Sequence, residues 1–427
     1  MRPIWIVLLP SFARRPFTHS IHSIAEPIMQ RLTRKMLNRH TFRSVVAATL
    51  AAAACNEPTT SVVPEVPLSA AVVKFWESGA SVAWNQTARE LIASRAVTAP
   101  IAQVRILTYL SVAQYNAVVA AEDAKDGGDH ASGAAAVAGA SLVVLKSFFP
   151  LDHTLLDTRL LAQQNAAAWP GEKNGNFSAG ENIGRAIGAQ VVAYAASDNF
   201  NLTTPPVNPG GAGYWTGVNP IRGLYGTRTF ALTSGDQFRP APPPAFGSPA
   251  FNAALAEILA ISDGLTPGQL AAAQLWAPRG PGFMNSVASE MIVAHRRTER
   301  EAARILALAN MAGFDVANAC FDAKFAYYFI RPSQANPDIG LPIGLPNHPS
   351  YPSGHSCITS AYATVLAREF PEESDAVQAM VVEAGLSRMY GGLHYRFDCE
   401  VGQQLGRDVA EYVMQVAPGR HQSIPLD

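Results

Sequence analysis

The sequence predicts an all-α fold. Apolar residues recur at three- and four-residue intervals over most of the chain, and no stretch of any length alternates apolar and polar residues as a half-buried strand does. Proline and glycine break the helical pattern in one long segment, 201 to 250. With 427 residues and 48% hydrophobic content the chain can bury a large core, as one big domain or two to three ordinary ones. Charged residues make up 15%, below the roughly 25% of typical soluble proteins, and the net charge is −1. Neither a basic field for nucleic acid nor an acidic tail is present, so nucleic-acid binding is disfavoured.

Residues 1 to 55 read as an export leader. "RLTRKMLNRHTFRS" (31 to 44) is basic, "VVAATLAAAA" (45 to 54) is a short apolar core, and Cys55 follows three small residues. That order resembles a bacterial lipoprotein signal with a relaxed cleavage box, which would leave Cys55 lipidated. An ordinary signal peptide or a leader without structure is the alternative. Residues 1 to 35 fit neither well, which makes Met29 or Met36 a candidate start. The expected location is exported: the bacterial cell envelope, periplasmic or lipid-anchored. Residues 56 to 68 then form a flexible tether. No run reaches the roughly 18 to 20 apolar residues that span a bilayer, so a soluble mature part is expected, touching membrane only through an N-terminal lipid.

The region 69 to 200 is expected to be helical, with alanine-rich bundle helices over 99 to 122, 131 to 150, 151 to 170 and 179 to 197. Alanine at their contacts lets helices approach closely. Segment 201 to 250, with "TTPPVNPGGAGYWTG" and "RPAPPPAFGSP", excludes regular helix and marks a long ordered connection or a domain seam. A second helical region, 251 to 420, resumes at "TPGQLAAAQLW", where Thr266 can cap and Pro267 takes the first helical position. A long helical stretch over 283 to 330 ends at Arg331-Pro332, because the residue before proline is pushed out of helical space. Further helices are predicted over 355 to 369, 374 to 386 and 396 to 416. One large domain is expected, with a looser N-terminal helical half. Large apolar helix faces are compatible with a homodimer.

Three clusters stand apart from this background. In "AKFAYYFIRP" Lys324 and Arg331 are seven apart, two helical turns, which predicts one face and a separation of roughly 10 Å along the axis. Long cations on a helix usually sit in solvent, but the aromatic residues between these two suggest a buried surround, where a cation wants an anion. In "YPSGHS" the Pro-Ser-Gly turn runs into an apolar helix, so Ser353 can cap it while the amides of Gly354 and His355 form an anion cradle. A plain cap with an incidental histidine reads equally well. In "LSRMYGGLHYRFD" Arg388 precedes His394 and Asp398, which are expected to share a helical face with the carboxylate fixing the imidazole tautomer. A surface ion pair is the bland alternative. If Lys324, Arg331 and Arg388 converge, burying them requires a multiply charged oxyanion, phosphate or a mimic of it. His394 then offers a ligand or nucleophile, and His355 a general acid or base. Beyond Cys55, only Cys320, Cys357 and Cys399 remain, with no metal-type spacing; a single bridge among them is compatible with the sequence.

In order and in every internal spacing, Lys324 with Arg331-Pro332, Pro352-Ser353-Gly354-His355, and Ser387-Arg388 with His394 and Asp398 resemble the three-part signature of the type 2 phosphatidic acid phosphatase and vanadium haloperoxidase superfamily. The motifs cover residues 324 to 398; the helical region ahead of them, including "DQFRPAPPPAFGSPAF", is more loosely similar to bacterial haloperoxidase-like members. The resemblance implies helical bundles of the vanadium haloperoxidase or acid phosphatase type. It implies that Lys324, Arg331, Ser353, Gly354 and Arg388 bind equatorial oxygens, that His394 is the vanadium ligand or phosphoryl acceptor, that His355 is the acid or base, and that Asp398 orients His394. The implied cofactor is vanadate for a haloperoxidase and none for a phosphatase.

The signature itself does not choose between the two. Length and layout resemble the haloperoxidases, and His348 stands where bromoperoxidases carry histidine and chloroperoxidases phenylalanine, which implies a role in halide and peroxide tuning. A plain loop residue beside Pro349 is the other reading of His348. Ser356 departs from the alanine many haloperoxidases carry. The favoured expectation is oxidation of halide, bromide first, by hydrogen peroxide, with His355 taking a proton and Lys324 polarising the peroxide. A phosphomonoesterase acting through phospho-His394 is the alternative, and a non-catalytic oxyanion-binding lipoprotein the third. The partners are small molecules in each case.

Overall fold

The computed structural model describes residues 79–124, 131–165, 176–200 and 202–426. The leader with Cys55, the tether and the first residues of the N-terminal helical region lie outside the described residues. Among those described there is no strand, only isolated bridges at Ala131–Asn176 and Tyr214–Phe329, so the chain is all-α.

The N-terminal half comprises α1 (Ala80–Ser94), α2 (Pro100–Asp123), α3 (Gly133–Phe148), α4 (His153–Gln164) and α5 (Phe177–Ala196). Ser132 and Asn176 cap α3 and α5 by accepting from the amides of Ala135 and Ala179. These two helices pack at short range because Gly180, Gly184 and Gly188 repeat every fourth residue along one face of α5. A Cβ on Gly184 would lie 1.9 Å from the carbonyl oxygen of Ala136, so no larger residue fits. α1 was not singled out in the sequence, although it lies within the region 69 to 200 expected to be helical.

The C-terminal half comprises α6 (Pro249–Asp263), α7 (Pro267–Trp276), α8 (Pro281–Ala294), α9 (Glu299–Tyr327), the short α10 (Pro332–Ala335), α11 (Gly354–Glu369), α12 (Ser374–Tyr390) and α13 (Arg396–Val416). Thr266 caps α7 as expected, in a capping box with Gln269. Helix nevertheless resumes earlier than predicted, at α6, where Ser248 caps and Pro249 takes the first position. The stretch expected as one helix over 283 to 330 is two. Arg296 turns to positive φ (51°), and Thr298 with Glu301 forms a capping box that starts α9 afresh. α12 runs on to Tyr390, past the predicted end at 386.

α9 joins the two halves, packing on α2 on one side and on α11 and α13 on the other. The Pro/Gly-rich connection wraps its end through backbone carbonyls. Tyr328 Oη donates to Pro206 O (2.5 Å), Tyr327 Oη to Pro240 O (2.6 Å) and Tyr351 Oη to Ala241 O (2.6 Å). Buried Asp315 of α9 accepts from the amides of Phe230, Ala231 and Leu232 at 2.9, 2.7 and 3.0 Å and so fixes that loop. Cys320, Cys357 and Cys399 are buried free thiols. Among the described residues no helix is long and apolar enough to cross a membrane.

Candidate active site

The site forms where α9, α11, α12 and α13 present their ends. α9 stops at Tyr327 because Tyr328 takes the left-handed conformation (φ 44°), so Arg331 lies beyond it, as the N-cap of α10. Lys324 and Arg331 therefore do not share the face of one helix, as the seven-residue spacing suggested; the break swings Arg331 inward toward the 348–355 loop. Likewise His394 precedes α13 in the turn after Gly391-Gly392, and only Asp398 is helical. The spacing of four still brings them together, with His394 Nδ1 donating to Asp398 Oδ2 across 2.9 Å.

Lys324, Arg331, Arg388, His394 and Asp398 are all buried. Arg331 Nη1 donates to His394 Nε2 (3.1 Å) and to Leu393 O (2.8 Å), and its Nε and Nη2 donate to His348 O at 3.1 and 3.0 Å. Arg388 donates to Ser387 Oγ (3.0 Å) and Ala273 O (3.1 Å). None of the three cations forms an ion pair with a carboxylate among the described residues. Burial accordingly lowers Lys324 to about 8 and both Arg331 and Arg388 to about 10.

Lys324 departs from the expected role in this geometry. An ammonium has three donors, and Nζ directs them at the carbonyls of Pro349 (2.9 Å), Ser350 (2.8 Å) and Pro352 (2.5 Å). It clamps the loop that carries the cradle. Ser353 caps α11 through Ser356 N (3.4 Å), and its own amide donates to Asp398 O (2.9 Å), which ties the cradle to α13. Gly354 and His355 supply the first two amides of α11, which have no acceptor within the helix.

The three histidines are neutral. Burial, then the positive field of Arg331 and Lys324, holds His394 well below its ordinary value. Burial followed by the charge on Arg388 lowers His355 to about 3, although the backbone of Trp276 and Arg279 pulls the other way. His348 is lowered by burial and then by the charges on Lys324 and Arg331; its ring packs edge-on against Phe321 at 5.4 Å, and its Nδ1 lies 3.0 Å from Arg331 Nη2.

Ser350 is a residue the sequence reading passed over, although it stands within the quoted motif. Fully buried, it donates from Oγ to Asp398 Oδ2 across 2.5 Å while its carbonyl takes a bond from Lys324. Nothing in the local sequence sets it apart from the other serines of that stretch. Burial raises Asp398 to about 6 even with Ser350, Lys324 and Arg331 favouring the carboxylate, and its Oδ1 has no partner among the described residues.

Residues 302–421 match the family profile of the PAP2 superfamily, so this part of the chain is a PAP2 superfamily domain. No curated protein matches the sequence. Among solved structures, a bacterial vanadium-dependent iodoperoxidase superposes with a TM-score of 0.66 at 23% identity, over 78% of this chain and 94% of that one. A bacterial vanadium-dependent chloroperoxidase superposes in its apo form with a TM-score of 0.61 at 14% identity, over 74% and 95% of the two chains. Its holo form gives 0.60 at 15% identity, over 74% and 92%. The helical fold is that of these structural neighbours.

Proposed function

We propose that this chain is a vanadate-dependent haloperoxidase-like enzyme that oxidises halide, bromide favoured, with hydrogen peroxide. The observation that carries the reading is the absence, among the described residues, of an ion-pairing carboxylate for three buried cations, Lys324, Arg331 and Arg388, around a neutral histidine. A multiply charged oxyanion would supply what they lack, at a single nitrogen ligand. The donor set fits vanadate: cations, helix-terminal amides and one imidazole lone pair, with no cluster of three or more acidic, histidine or cysteine ligands for a metal cation among the described residues.

His394 Nε2 would hold the group, and Arg331, Arg388 and the α11 amides would hold its oxygens. Vanadate, when bound, would supply the Lewis acidity that activates peroxide. Asp398 accepts Nδ1–H, so the Nε2 lone pair stays available, and Ser350 donates to the same carboxylate oxygen, Oδ2. Arg331 Nη1, which donates to Nε2, is placed to pass that hydrogen bond to an anion oxygen. His355, neutral and half-buried, offers a base to the incoming peroxide; an anion in the cradle offsets the charge of Arg388 and raises its proton affinity.

One observation favours the alternative, a phosphomonoesterase acting through phospho-His394. Lys324 has all three donors on loop carbonyls, which leaves none to polarise a peroxide. The test is dye bromination with peroxide and bromide, with and without orthovanadate, beside aryl phosphate hydrolysis. Vanadate-dependent bromination supports the first reading; hydrolysis by the vanadate-free protein, inhibited by vanadate and without bromination, replaces it with the second. The reading includes export on the leader that ends at Cys55, which fatty-acid labelling of the wild type against Cys55→Ser tests.

A further inference from the structure

We infer that the oxyanion site is bordered by an apolar ledge, formed by Val218, Ile221, Leu341 and Leu345, that holds the organic acceptor of the oxidised halogen. The acceptor belongs to the class of apolar, electron-rich arenes and alkenes. This rests on the haloperoxidase reading and adds to it a substrate which that reading leaves open. Two segments build the ledge, 213–221 of the Pro/Gly-rich connection and the loop 339–347, and neither contains a charged residue. Three hydrogen bonds join them. Ile221 N donates to Asn347 O (2.8 Å), and Asn347 Nδ2 donates to Val218 O (3.1 Å) and Asn219 O (2.9 Å).

Each segment is also tied to residues that carry the site. The loop 339–347 starts on the Gly391-Gly392 turn that leads to His394: a Cβ on Gly392 would lie 2.3 Å from Gly340 O, and one on Gly391 2.6 Å from Ile343 Cδ1. It runs into His348, whose carbonyl takes Nε and Nη2 of Arg331. The connection pairs with the segment just before Arg331, through Trp215 N to Tyr328 O (2.7 Å) and Ile330 N to Gly213 O (3.1 Å). Further on, Gly223 lies so close to Phe321 that a Cβ would meet its ring at 2.3 Å, and the same ring packs edge-on against His348. The ledge is therefore held against the side of the site that His348 occupies.

Val218, Ile221, Leu341 and Leu345 are 75, 50, 40 and 37% exposed. Single exposed aliphatic residues are ordinary, but four on two joined and anchored segments form a patch of the kind that marks a binding surface. Its place beside the site names the occupant. Peroxide, bromide and a proton give hypobromous acid and water. Hypobromous acid then brominates an arene: a C–Br bond forms, the O–Br bond breaks, and the displaced ring proton leaves with hydroxide as water. An acceptor held beside His348 meets that oxidant before it diffuses away, and a ledge without charge favours apolar acceptors over anionic ones.

Thymol is the apolar probe and 4-hydroxybenzenesulfonate its anionic counterpart. Saturation-transfer NMR on the full chain without peroxide reads binding, and competitive bromination of the two phenols reads selectivity against the product ratio that reagent hypobromous acid gives. Thymol is expected to bind saturably, and about fivefold more weakly to each of Ile221→Ser and Leu345→Ser, as loss of one apolar contact implies. The wild type should favour bromothymol beyond the reagent ratio, a preference that both variants lose while their peroxide consumption holds. No saturable binding, a wild-type product ratio equal to the reagent's, or a dimer in sedimentation that both variants dissociate, which would give the ledge to a second copy of the chain, would each overturn the proposal. Peroxide consumption that needs vanadate and bromide is followed in the same samples. Its absence overturns the haloperoxidase reading, and the acceptor role with it, whereas consumption without thymol binding overturns the ledge alone.

Discussion

Arg331 Nη1 donates to His394 Nε2 across 3.1 Å while His394 Nδ1 lies 2.9 Å from Asp398 Oδ2. A guanidinium cannot accept, so Nε2 must carry the lone pair and Nδ1 the proton. The tautomer needed to bind vanadate or take a phosphoryl group is thus set from both ends before any ligand arrives.

Removing either end tests this. His394→Ala should abolish vanadate binding, and Asp398→Asn, which keeps the shape but loses the charge, should weaken it about 10- to 100-fold. Difference absorbance on vanadate titration reads both. Wild-type affinity in Asp398→Asn would show that the carboxylate does not set the basicity of Nε2.

Ser350→Ala removes a donor that favours the ionised form of Asp398, already raised to about 6 by burial. Without it that value climbs further, so the carboxylate is lost at a higher pH. Vanadate affinity should fall about tenfold near pH 6, as for other groups that brace a ligating histidine, and recover toward pH 7.5. A uniform loss at both pH values would assign Ser350 a packing role alone.

Lys324, lowered to about 8 from 10.5, loses its charge as pH rises through the lower value. Oxyanion affinity should therefore fall above about pH 8, and binding at pH 8.5 should take up a proton, which calorimetry in two buffers of different ionisation heat detects. Between 8 and 10.5 the unfolded chain holds more protons than the folded one, so the ligand-free protein should gain stability across that window. Lys324→Met should remove both effects.

Asp315→Ala leaves three amides of the 230–232 loop without their acceptor. We expect a loss of roughly 3 kcal/mol in stability by chemical denaturation, from unsatisfied buried donors, with vanadate affinity within about twofold of wild type. A large change in affinity would mean that this loop also positions the oxyanion site.

Most helices were legible because their signals are local. Apolar periodicity, the Thr266-Pro267 start and the Ser353 turn each lie within a few residues of the element they define, and α13 matches its predicted span of 396 to 416. The break before α9 was not read, since the Thr298–Glu301 capping box sits inside an otherwise continuous helical pattern. α6 was hidden by the prolines ahead of it, although Ser248-Pro249 is a start signal of the same kind as Thr266-Pro267.

The sequence by itself determined the all-α class and the residue types of the site, because helix periodicity and motif spacing are properties of neighbouring residues. Only the tertiary structure decided how those residues meet. Whether Lys324 faces an anion or three loop carbonyls, whether Arg331 stays on α9 or swings to His394, and what Ser350 touches depend on groups far apart in the chain. The partners of a buried donor are chosen by whichever acceptors packing brings within about 3 Å, and spacing along the chain carries no record of that choice.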